Sequence, residues 1–222
     1  MATIAPTRIA GFVLAFCVSL PLLAQTVTPA DPGTTRFTDP QYGVTFRYPA
    51  SWKFTTVPQF YSIDAPLTQP APQSGRGLSA RAIIVAHRAV WPELKDRTDF
   101  SGAEFIFNVL PGATPAACLE QMHAVVSFDQ VDSRPIDGVP FSHTETGSAG
   151  LCHQVSESLY FGQAQGSCYV FDLAIHTVCP PEDEKHFSTR TDLHPVQDQL
   201  RAILATVRFG PQLHPEASAK HP

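Results

Sequence analysis

Cysteine, histidine and carboxylate positions carry what chemistry this sequence offers. Cysteines stand at Cys17, Cys118, Cys152, Cys168 and Cys179. Zinc sites place their thiolates in close pairs such as C-x2-C, and these spacings are far wider, so disulfides are the expected chemistry and no metal site is expected. His153 and His176 fall on the two strands of a predicted hairpin. With Gly162 placed opposite Gly166, they point to opposite faces and read as strand histidines. Together with Phe60, Tyr61 and Tyr160 they form the candidate binding residues, with Tyr61, His153, Tyr160 or His176 as the floor of a cleft between a loop and the hairpin. Glu145 and Glu157 project from neighbouring strands without a spacing that assigns them a mechanism.

Motifs of covalent and phosphoryl chemistry are missing. Gly147-Ser148-Ala149-Gly150 has its glycines at the wrong offsets for a G-x-S-x-G elbow. H-E-x-x-H, C-x-x-C, G-x-x-x-x-G-K-[ST] and a G-x-G-x-x-G turn do not occur. Pro181-Glu182-Asp183-Glu184 reads as a solvated acidic turn, because calcium loops space their oxygen ligands differently. A non-catalytic protein without a cofactor is expected.

The chain opens with an address. Arg8 supplies positive charge, and Ile9 to Ala24 is an apolar run ending in Leu22-Leu23-Ala24. That is the pattern of a signal peptide over 1–24, cleaved before Gln25. A run of about 16 residues is shorter than the ~20 a membrane span requires, and no later segment is long enough. No stable span is expected after cleavage, and the location is secreted or periplasmic. The whole chain carries 15 basic and 20 acidic residues for a net charge of −5. With the basic residues scattered, nucleic acid is excluded as a partner, as is a membrane reached by electrostatics.

Residues 25–36 are polar and proline-rich, and read as a flexible linker. Residues 37–210 read as one domain of ordinary size, and 211–222 as a disordered tail. Asp39-Pro40 and Gly43 mark a turn before Val44, Phe46 and Tyr48, whose alternation with Thr45 and Arg47 predicts a half-buried strand. Strands are predicted near 43–48 and 52–57, with Trp52 as a buried anchor. Pro58 to Gly77 reads as a long surface loop whose Phe60, Tyr61, Ile63 and Leu67 can line a groove. Leu78 to Val90 predicts a central strand and Ala103 to Leu110 the next. A helix follows, capped by Thr114 with Pro115 in its first turn. Strands over 139–147, 151–161 and 167–178 precede a helix carrying Leu193, Val196, Leu200, Ile203 and Leu204, with Asp192 as its cap.

The hairpin decides the cysteine pairing. Cys17 leaves with the signal peptide, and an even number remains in an exported chain. With Gly162 near Gly166, Cys152 lies opposite the neighbourhood of His176, and Cys168 opposite Tyr160. Cys168 and Cys179 are then about 36 Å apart along one strand, and Cys152 about 26 Å from Cys168. Disulfide Cα atoms sit about 4.4–6.8 Å apart. What survives is Cys152–Cys179 and Cys118–Cys168.

Tyr42-Gly43, the aromatic strand, Pro49 and Trp52 in YGVTFRYPASWKF resemble the entry motif of PsbP-like domains. Val207-Arg208-Phe209 after a helix is a weaker echo at the other end. The resemblance implies an α+β fold, with a central antiparallel sheet flanked by helices in an α/β/α sandwich. It implies a secreted bacterial member of unassigned role and no activity. The function expected is a non-catalytic protein-binding or accessory module of the cell envelope, its partner another envelope protein. The alternative is a small-ligand or metal-binding periplasmic domain.

Overall fold

The computed structural model describes residues 25–57, 78–94, 96, 99–125, 130–150, 152–179 and 192–212. The signal peptide, the loop from Pro58 to Gly77 with Phe60 and Tyr61, the acidic turn at 181–184 and the tail beyond 212 lie outside these residues. In chain order the strands begin with β1 (Thr26–Pro29), β2 (Thr34–Asp39), β3 (Val44–Pro49), β4 (Lys53–Thr55), β5 (Ser79–His87) and β6 (Phe100–Pro111). Helix α1 (Pro115–Val125) leads to β7 (Asp132–Ile136), β8 (Val139–Gly150), β9 (His153–Ala164) and β10 (Ser167–Val178). Helix α2 (His194–Ala205) and β11 (Arg208–Phe209) follow.

Four strands form one sheet in the order β1-β2-β3-β11, and seven form another in the order β4-β5-β6-β10-β9-β8-β7. The predicted alternation holds in β3, where Val44, Phe46 and Tyr48 are buried between half-buried neighbours. Their face meets the seven-stranded sheet through aromatic rings. Phe46 lies 5.1 Å from Phe105, and Phe37 meets Phe107 edge-on at 6.3 Å. Val196, Leu200, Ile203 and Leu204 of α2 join this core. On the opposite face of the large sheet, Cys118 and Met122 of α1 pack on Leu159, Phe161 and Val170.

The expected sheet flanked by helices is not what forms. The described residues hold two α-helices and two single-turn 3-10 helices, Arg88–Val90 and Pro92–Leu94, and the rest of the regular structure is strand in two sheets. Part of the difference lies in residues 25–36, which read as a flexible linker and instead supply β1 and the first half of β2. Threonine is β-branched and fits a pleated strand, and an edge strand tolerates Pro29. The hairpin turn closes with Thr34 N donating to Asp31 O at 2.9 Å. The helix cap also differs, since Leu193 occupies the N-cap of α2 and makes no side-chain capping bond. At α1, by contrast, Thr114 Oγ1 accepts from Ala117 N at 3.2 Å.

Two buried polar contacts tie the sheets together. A bulge between Ala80 and Ala82 leaves Arg81 out of the ladder. Its Nε lies 2.8 Å from the fully buried Asp39 carboxylate, and its guanidinium sits 4.9 Å from the Tyr42 ring. Tyr169 Oη donates to Tyr42 O at 3.0 Å, and burial pushes this hydroxyl up to about 12, so it remains a donor at neutral pH.

Candidate functional site

The β9–β10 hairpin positions most of the polar groups. Its turn is Gln165-Gly166, with φ values of 49° and 76°. Two consecutive positive values make a two-residue hairpin loop of the favoured mirror-image type. Gly162 therefore pairs with Tyr169 and not with Gly166, and Cys168 with Gln163. This corrects the expected register by three residues. The disulfides Cys118–Cys168 and Cys152–Cys179 form as expected, with Cα separations of 5.4 and 4.8 Å. Cys179 N also donates to Cys152 O at 2.9 Å, so the second bridge sits directly across the open end of the hairpin.

The new register changes the histidines too. His176 pairs with Val155, and His153 is two residues from Val155, so the two histidines share one face where opposite faces were expected. His153 is exposed and His176 only 5% exposed. Tyr160 pairs with Phe171, whose face is the aromatic core, and so lies on the other side of the sheet from His176. Tyr160 and His176 cannot floor one cleft. Glu145 and Glu157 are separated in the same way, Glu145 opposite Ser158 and Glu157 opposite Thr146.

The face bearing His176 holds a seam of buried polar side chains. Glu104 and Glu157 are the register partners of Ala174 on its two sides, and Asp172 stands two residues along β10. Exposure is 0% for Glu104 and Asn108, 1% for Asp172 and 3% for Glu157, which makes solvation by bulk water negligible for all four. His176 Nε2 lies 3.3 Å from Glu104 Oε2. Removing one partner of such a buried pair costs about 3–5 kcal/mol, because the other is left in a medium that solvates it poorly. Among the described residues no set of three or more His, Cys, Asp or Glu side chains converges to hold a metal ion. The seam left a trace in the sequence, since Asp172 and His176 alternate with Phe171, Leu173 and Ile175. Alternation reveals a shared face and not that the polar face is buried as well.

The second cluster lies on the core-side face, beyond the aromatic rings. His143 Nδ1 is 2.6 Å from Asp132 Oδ1, and its Nε2 is 2.9 Å from Ser158 Oγ. Ser158 Oγ donates to Glu145 Oε1 at 3.1 Å, and that oxygen is 3.4 Å from His143 Nε2. The Tyr160 ring lies 4.5 Å from the imidazole. The hydrogen bond from His143 lowers the Asp132 carboxyl from its ordinary 3.8, with desolvation opposing and Arg134 adding to the effect. Carboxylate, imidazole and hydroxyl in this order are the parts of a serine relay. Here Ser158 Oγ lies within hydrogen-bond distance of both the imidazole and Glu145. The adjoining cleft, lined in part by Leu173, Leu200 and Arg201, has a volume of ≈ 20 Å³. That is room for about one water molecule. As arranged, the cluster ties β7, β8 and β9 together.

No protein-family model matches the chain, so the PsbP-like resemblance gains no support there, and no curated protein matches it. Among solved structures, a Bacteroides thetaiotaomicron protein is similar at 9% identity and a TM-score of 0.43, over 79% of this chain and 48% of that one. The chain thus spans about half the length of that protein. LpqN of Mycobacterium tuberculosis, described as involved in cell envelope biogenesis, is similar at 16% identity and a TM-score of 0.35, over 85% of this chain and 91% of its own. Likenesses this distant carry no argument about fold or function.

Proposed function

We propose that the protein is an exported, disulfide-braced binding module of the cell envelope that engages another envelope protein and performs no chemistry of its own. The observation that carries this reading is the covalent bracing of the β9–β10 hairpin, closed at its open end by Cys152–Cys179 and tied near its turn to α1 by Cys118–Cys168. Such bridges persist in oxidising compartments outside the cytosol, which agrees with the leader-like segment over 1–24. No described helix is long and apolar enough to cross a membrane. The small cleft beside Ser158 supports the absence of catalysis.

A photo-reactive residue placed at Phe60 or Tyr61 and activated in intact cells tests the reading. The expected result is one discrete adduct with a second envelope protein; irradiation that yields no adduct would defeat it. An active-site serine probe of the fluorophosphonate type tests the second half. Ser158 is expected to stay unlabelled, and labelling that His143→Ala abolishes would make the protein an enzyme.

A further inference from the structure

The outer face of the four-stranded sheet gathers cations that are far apart in the chain. Arg36 of β2 and Arg47 of β3 are direct register partners. Arg208 of β11 pairs with Thr45, two residues from Arg47 on the same face. Thr38, opposite Thr45, adds a hydroxyl to that face. Arg36, Thr45, Arg47, Thr206 and Arg208 line a groove with a volume of ≈ 400 Å³, and every charged group lining it is cationic. This lies within the size range of small-molecule sites.

Like charges directly opposite one another on an antiparallel pair oppose folding. Arg47 is ion-paired with Asp31, and Arg208 Nε lies 3.6 Å from Asp137, both at the exposed surface where such pairs are weak. Among the described residues no carboxylate pairs with Arg36, which is exposed. Two arginines opposed on neighbouring strands are relieved by an anion held between them.

We propose that this groove binds the phosphate of a small phosphomonoester. Guanidinium forks match phosphate oxygens with two parallel hydrogen bonds, and the Thr38 and Thr45 hydroxyls supply further donors. A monocarboxylate brings a single charge to opposed cations, whereas a phosphomonoester brings about −1.5 to −2 near neutral pH. A concave site on a chain of net charge −5 favours a small soluble ligand over an anionic bilayer, which the rest of the surface repels. The site is independent of the protein-partner reading and stands or falls separately.

The test is a titration of the oxidised protein with glycerol 3-phosphate at constant ionic strength, followed by amide chemical shifts. Saturable shifts are expected at Thr38, Thr45, Arg47 and Arg208. Arg36→Ala is expected to weaken binding about tenfold or more, the size of one charge-assisted hydrogen bond, with Arg36→Lys in between. Without ligand, the melting temperature of Arg36→Ala should be no lower than that of the parent protein, since one of two opposed charges is gone. Shifts reproduced by chloride, an unchanged affinity in Arg36→Ala, or no saturation across the millimolar range would each overturn the site. Binding confined to phosphatidylglycerol vesicles would overturn it in favour of a membrane surface.

Discussion

Asp132 shows how one side chain couples this structure to pH. Its carboxyl is lowered from 3.8 chiefly by the hydrogen bond from His143. A carboxyl whose folded value lies below its unfolded one stabilises the fold above the unfolded value and loses that contribution as pH falls through the folded value. The contribution is therefore complete above about pH 3.8 and fades below it. Asp132→Asn removes it, so thermal unfolding followed from pH 5 down to pH 2 should show a gap between parent and variant that closes in acid. A gap that widens in acid would contradict this sign. At the same scale, His176 was visible in the sequence as a candidate, but its partner Glu104 was not. The two are far apart in the chain, and only the β6–β10 register makes them neighbours.

Among the elements, the junction of β3 with β11 is the tightest. Gly43 has φ +65°, and a Cβ there would lie 2.3 Å from Gly210 O. Gly210 N in turn donates to Gly43 O at 2.6 Å. Gly33 has φ +81° and open space around it. Gly33→Ala should therefore cost only the left-handed backbone strain, about 1–2 kcal/mol. Gly43→Ala should cost clearly more and speed hydrogen exchange at the Gly210 amide, as β11 is pushed off β3. Urea denaturation of the two variants compares them directly; equal losses would mean that the close approach is relieved without cost. The turn at Gly43 was readable from the sequence, while the reason it admits no side chain lies at the other end of the chain.

Across the whole molecule the disulfides set the scale of stability. They close loops with sequence separations of 50 and 27. Each is worth about 2–4 kcal/mol, with the longer loop contributing about 0.5 kcal/mol more in the chain-entropy account. Domains have about 5–15 kcal/mol in total. Replacing Cys118 and Cys168 by serine should thus lower the melting temperature more than replacing Cys152 and Cys179, and losing both pairs should leave little folded protein. Thermal unfolding of the three variants checks the order.

Local features of the chain were enough to place β3, β6, α1, the β9–β10 hairpin and the α2 face, because turn residues and apolar periodicity act over a few residues. They were also enough to pair the cysteines, since the distances excluded were too large for a three-residue slip to rescue. The fold class was decided elsewhere. Threonines near the start of the chain become strands by pairing across Gly33 and with β3, and propensity within a polar, proline-rich stretch does not announce a partner. The candidate sites were decided in the same way. Asp132, His143 and Ser158 meet through two strand registers, and Arg36, Arg47 and Arg208 meet on one sheet face. Residues that read as scattered along the chain become a site only when long-range pairing fixes which strands are neighbours and which faces they share.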